Sequence, residues 1–168
     1  MPRAAIAFVR LVDKLNYGVG RFAMYLLFVL MAILMWSTIS KAFFNPSLWT
    51  LEMAQFVMVA YYILGGPYAM QLEGHVRMDL FYAKQSPQKR ALWDAFTVFA
   101  LIFYLCVMLY GAVDSTLYAF TYNERSPTAW RPYMWPIKVT LCIGFFLMLL
   151  QALSALIKDI ATIRGEVI

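Results

Sequence analysis

Residues 22–40 read FAMYLLFVLMAILMWSTIS, nineteen residues without a charge. As a helix this run spans about 29 Å at 1.5 Å per residue, close to the roughly 30 Å hydrocarbon core of a bilayer. The apolar residues are continuous rather than alternating, which argues for a helix and against a strand of a barrel. Three more uncharged windows follow: Met53–Leu72, Ala95–Val113 and Val139–Ile157. Each is bounded by charge or by turn chemistry. The chain therefore reads as an all-α membrane protein with four transmembrane helices in a single membrane domain over 1–168. The expected spans are about 22–42, 47–72, 88–120 and 134–158. No A-x-A-like cleavage site follows the first window, and its apolar core is longer than a signal peptide's, so it is expected to stay in the mature protein.

Composition agrees. The chain is 63% hydrophobic and 14% charged, with mean hydropathy +0.68, where a soluble domain carries about a quarter charged residues. The net charge of +5 could indicate nucleic acid, but the basic residues flank apolar runs instead of interleaving with groove-binding sequence. That pattern points to membrane orientation and no nucleic-acid partner. Ten Lys and Arg fall before the first span, after the second and after the fourth. Four, Lys41, Arg125, Arg131 and Lys138, fall on the other side. The positive-inside rule places both termini in the cytoplasm. Trp36, Trp49, Trp130 and Trp135 then form an outer aromatic belt.

The segment before the first span is amphipathic. At about 100° per residue, Arg3, Arg10, Lys14 and Arg21 fall within an arc of about 40°. Phe8, Val9, Leu11, Val12, Leu15 and Val19 occupy the other side. The expectation is an interfacial helix over 3–20, its basic face on lipid headgroups.

Local signals set the boundaries. Asn45-Pro46 is expected to open the second helix and Ser86-Pro87 the third, which could run about 50 Å to Phe120. Gly65, Gly66 and Pro67 in the second predict a kink and a notch for a neighbouring helix. The outer loop over 121–133, holding Pro127 and Pro132, reads as an ordered turn.

The ionisable groups nearest lipid are Lys41, Glu52, Asp114 and Lys138, all toward the outer boundary. Lys138 is expected to pair with Asp114 or Glu52; a partner contact and an ion pathway are the alternatives. No ionisable group lies at the midplane, where a secondary transporter places its substrate. The chain is therefore expected to transport nothing alone. Enzyme signatures are missing: there is no GxSxG, HExxH or P-loop, and Cys106 and Cys142 lack CxxC spacing and read as small buried hydrophobes. His75 is the single histidine, too few for a bis-histidine haem. No cofactor, metal or catalytic residue is expected.

The second helix opens with Glu52 in LWTLEMAQF, passes through LGGPYAM and is followed by GHVRMDLF. An acidic start, a mid-helix glycine and a terminal His-x-Arg-x-Asp resemble the small membrane subunit, DctQ type, of tripartite ATP-independent periplasmic (TRAP) transporters. Length and the four-helix layout match over nearly the whole chain; the motif covers residues 49–81. Pro67 departs from the pattern, which usually has a less constraining residue there. The resemblance implies a non-catalytic subunit in the bacterial inner membrane. Its implied partners are a large elevator-type permease subunit, encoded separately and holding the substrate and sodium sites, and a periplasmic binding protein that delivers an organic acid. It implies a docking or structural role for Glu52, Gly65, Gly66, His75, Arg77 and Asp79. The residues alone also allow a respiratory membrane anchor, with His75 as a shared haem or quinone ligand, or a small homo-oligomeric exporter with Glu52 as its proton-coupled acid.

Overall fold

A computed structural model describes residues 3–72 and 87–163. Four helices account for almost all of them: α1 (Arg3–Phe43), α2 (Thr50–Gln71), α3 (Pro87–Thr121) and α4 (Trp135–Ile163). Three, over Ala5–Phe43, Phe96–Thr121 and Trp135–Ile163, are long and apolar enough to cross a membrane. At 22 residues α2 is also long enough, but Gln55, the tyrosines and the Gly65-Gly66-Pro67 run dilute its hydropathy.

Helix α1 runs unbroken for 41 residues, about 60 Å. The interfacial helix expected over 3–20 is thus not a separate element: those residues are the first turns of α1. The reason lies in what the segment packs against. Val9, Val12, Asn16 and Ala23 are buried, while Leu11, counted in the apolar face, is 65% exposed. Positions 9, 16, 23 and 37 lie at multiples of seven, and 12 and 40 three residues beyond the first and last of them. Between them Val19, Leu26, Leu30 and Ile33 are half-buried. This heptad spacing marks a left-handed crossing of about 20°, as in most membrane bundles. Tertiary packing along that seam extends the helix back through its basic segment.

The other helices use the same period. In α4, Ile137, Gly144 and Gln151 form one row, and Leu147, Ser154 and Ala161 another. In α3, Leu105 and Ala119 are buried on the side that meets α4. Helices α1 and α2 form one antiparallel pair and α3 and α4 the other. Contact of α2 with α4 joins the pairs, α1 reaches α4 less extensively, and α3 holds to the bundle chiefly through α4.

Two glycines let α2 into place. A Cβ on Gly20 of α1 would fall on the Cβ and ring of Tyr68, and one on Gly144 of α4 would fall inside the Ile63 side chain. It would also lie 3.2 Å from the Ile63 carbonyl oxygen. Pro67, four residues on, has no N–H to give that carbonyl. Helix α4 thus approaches α2 where its ladder lacks a bond. Helix α2 continues through the buried Pro67 to Gln71. The notch expected at Gly65 and Gly66 is elsewhere: Gly65 meets nothing within 4 Å, and a Cβ on Gly66 would make ordinary contact with Met148 Sδ at 3.6 Å. The close-contact glycines belong to the helices flanking α2.

The α1–α2 link also differs from expectation. Helix α2 starts at Thr50, after an N-cap Trp49 whose side chain makes no capping bond. The Asn45 carbonyl instead accepts from Ser40 Oγ at 2.8 Å, folding the link back on α1. Pro87 does begin α3, where a missing N–H costs no helical bond. The loop before α4 is ordered: Ser126 N donates to Pro132 O and Met134 N to Glu124 O. Asn123 and Arg131 take positive φ there, and the Arg125 guanidinium lies 4.2 Å over the Tyr133 ring.

Gly20→Ala and Gly144→Ala are expected to destabilise the chain by about 1–3 kcal/mol each, the usual cost of overpacking. Gly65→Ala should change stability by less than about 0.5 kcal/mol. Unfolding in detergent, followed by helical circular dichroism, would compare the three.

Candidate functional site

The buried seam is polar at its two ends. At the end carrying the chain termini, residues 13 and 16 of α1 face 151, 154 and 158 of α4. Lys158 Nζ donates to Asp13 Oδ2 at 2.7 Å. Ser154 Oγ and Gln151 Nε2 donate to Asp13 Oδ1 at 3.4 and 3.2 Å. Asn16 Nδ2 donates to Gln151 Oε1 at 2.6 Å. The chain of bonds has one direction. A carboxylate only accepts, so Gln151 must turn its amide nitrogen to Asp13 and its oxygen to Asn16. Asn16 then points its own oxygen away, and that buried Oδ1 has no donor. Asp13 and Lys158 side chains are 24% and 41% exposed. At that exposure the ion pair contributes at most about 1 kcal/mol. The buried amides fix the register of α1 on α4, since a slip would strand donors away from water.

At the opposite end the seam closes on hydroxyls. Thr50 Oγ1 lies 3.2 Å from Ser37 Oγ and accepts from Ser47 Oγ at 3.2 Å. One turn of α2 holds Glu52, 7% exposed, whose Oε2 has no donor. It is the acidic residue of that helix's first turn. Asn16 and Ser37 are about 32 Å apart along α1, close to the hydrocarbon thickness. Polar seam residues thus stand at the edges of an apolar layer.

The expected ion pairs rearrange. Lys138 pairs with Glu124 of the loop before α4, not with Asp114 or Glu52, and its Nζ also reaches Ser115 O at 3.4 Å. Glu124 wins because the loop folds back over the start of α4. Lys41 and Asp114 are exposed and make no ion pair among the described residues. They stand on α1 and α3, which have no extended contact with each other. Cys106, expected to be buried, is exposed; Cys142 packs beside Thr116, Oγ1 to Sγ 3.2 Å. His75, Arg77 and Asp79 lie outside the described residues. Among the described residues no three His, Cys, Asp or Glu side chains gather as a metal site.

Asp13, Asn16, Gln151, Ser154 and Glu124 are not among the residues expected from sequence to carry the site. Asp13 is a single acid amid four basic residues, and Gln151 stands in an otherwise apolar run. Both were visible signals of a polar contact between helices.

A family model described as the DctQ component of tripartite ATP-independent periplasmic transporters matches residues 10–162. The chain belongs to that family. No curated protein and no solved structure matches it. It is a small permease subunit of a TRAP transporter, a membrane protein of apolar helices. The matched residues of this small TRAP subunit contain both polar layers, from Asp13 to Lys158 and from Ser37 to Glu52.

Gln151→Leu strands the Asn16 amide and removes a donor from Asp13, at an expected cost of about 1–3 kcal/mol. Asn16→Leu combined with Gln151→Leu should cost less than the two single changes added. A double-mutant cycle of unfolding free energies in detergent should give a coupling of at least about 0.5 kcal/mol.

Proposed function

We propose that this small TRAP permease subunit is a non-transporting, non-catalytic scaffold in the bacterial inner membrane. It crosses the membrane four times with both termini in the cytoplasm. It binds a large elevator-type permease subunit and steadies that subunit's static part. The large subunit carries any sodium and takes up an organic acid delivered by a periplasmic binding protein.

The observation that carries this reading is the seam. Its ionisable groups stand at the ends, Asp13 and Lys158 on one side and Glu52 on the other, with about 30 Å of apolar packing between. A solute pathway needs polar groups at mid-depth. A wall against which another subunit moves needs rigid packing instead. The matched family, a component of a tripartite transporter, supports the partners. The 22 residues of α2 make about 33 Å of helix, which supports a fourth span. The excess of Lys and Arg on the terminus side supports the orientation.

Liposomes test it. The chain alone should show no uptake. Together with the large subunit and the binding protein it should restore sodium-dependent uptake of an organic acid. Flux from the chain alone would overturn the reading. A cysteine placed at Thr128, in a background free of Cys106 and Cys142, should react with an impermeant maleimide from the periplasmic side.

The resemblance over 49–81 adds a second expectation. Arg77→Ala and Asp79→Ala should lower recovery of the complex or its uptake several-fold while membrane insertion stays intact. Quantitative immunoblotting of membranes and of the purified complex would read both.

A further inference from the structure

Helix α3 is held by one side. Leu105, Thr116 and Ala119 are buried toward α4. On nearly the opposite side stand Phe96, Phe99, Phe103, Tyr110, Asp114 and Leu117. At about 100° per residue they fall within an arc of about 60°. All six are exposed, Tyr110 at 79%. The stripe is large, mostly aromatic and apolar, with a single carboxylate.

The carboxylate decides what covers it. Asp114 makes no ion pair or hydrogen bond among the described residues. It sits four residues before Tyr118, about 6 Å further from the end of α3. Tyr118 and Tyr122 pair at 4.5 Å and Phe120 stacks on Trp135 at 5.4 Å, an aromatic group of the kind that marks the membrane interface. Asp114 therefore lies on the hydrocarbon side of that belt, where a carboxylate facing lipid is costly. A second copy of the chain does not relieve it. In a membrane dimer the two-fold axis runs along the membrane normal, so a shared α3 face would bring Asp114 against its own counterpart at equal depth. Like charges there oppose association. A different chain with a basic side chain at that depth satisfies both the apolar stripe and the charge.

We infer that the outward face of α3 docks a transmembrane helix of the large permease subunit, with a Lys or Arg of that helix pairing with Asp114. This rests on the scaffold reading above. The stripe from Phe96 to Leu117 is about 32 Å long, enough to line a full membrane-spanning contact. The aromatic side chains supply the close packing on which helix association in lipid depends.

The chain is co-expressed with the large subunit, carrying a photoreactive benzoylphenylalanine at Phe103 or Tyr110, and purified through its own tag. Both positions should cross-link to the large subunit. Cross-links to lipid alone, or to a second copy of this chain, overturn the assignment. In parallel, Asp114→Lys should lower recovery of the large subunit at least tenfold and Asp114→Asn less, with the unfolding midpoint of the isolated chain unchanged. Recovery of Asp114→Lys equal to wild type also overturns it. Wild-type recovery is the first arm. If the unmodified chain brings down no large subunit, the scaffold reading itself fails. If it does and the α3 positions cross-link elsewhere, only the α3 assignment fails.

Discussion

The bundle depends on the two places where a neighbour comes close enough to α2 to exclude a side chain. Lipid tails are as apolar as leucine, so helices in a membrane gain little by hiding apolar surface from one another. What remains is close packing and hydrogen bonding. Gly20 admits Tyr68, and Gly144 admits Ile63. Through these contacts α2 joins the α1–α2 pair to the α3–α4 pair. Pro67 removes a helical bond at the level where α4 arrives, and the carbonyl so exposed is covered by the glycine helix rather than by lipid.

Polar groups then set what packing leaves loose. An apolar seam repeats every seven residues and could slide by one repeat at modest cost. The bonds running from Asn16 through Gln151 to Asp13 make such a slip expensive, because buried amides would lose their partners. At the other end Ser37 and Thr50 tie the first two helices together. The two layers lie about a bilayer's thickness apart, so the same contacts that set register also set depth. The buried amides and hydroxyls of the seam are thus committed to holding shape. That is what the proposed scaffold role requires, and α3 is covered chiefly on the side that meets α4.

Much of this was legible beforehand. Four uncharged windows gave the helix count, because the hydrocarbon core fixes how many residues a span requires. The ordered combination of Glu52, LGGPY and GHVRMDLF pointed to the family that the match over residues 10–162 shows. The faces of the helices were less legible. In an apolar membrane chain hydrophobicity is spread all round, so Leu11 and Leu15 looked as suited to the interior as Val9 and Val12, yet only the valines are buried. Gly65 and Gly66 drew attention by adjacency, but a glycine matters where another backbone arrives, and that is a property of two helices together.

The class of protein is written along the chain: apolar runs of bilayer length, charges at their ends, and an arrangement of residues particular enough to carry a family. These are local quantities, counted along one chain. Tertiary structure decided the pairings: Lys138 with Glu124, Asp13 with Lys158, Gly144 against Ile63. Each joins residues whose distance apart depends on how helices cross and how loops fold back, and spacing within a single helix carries no information about either.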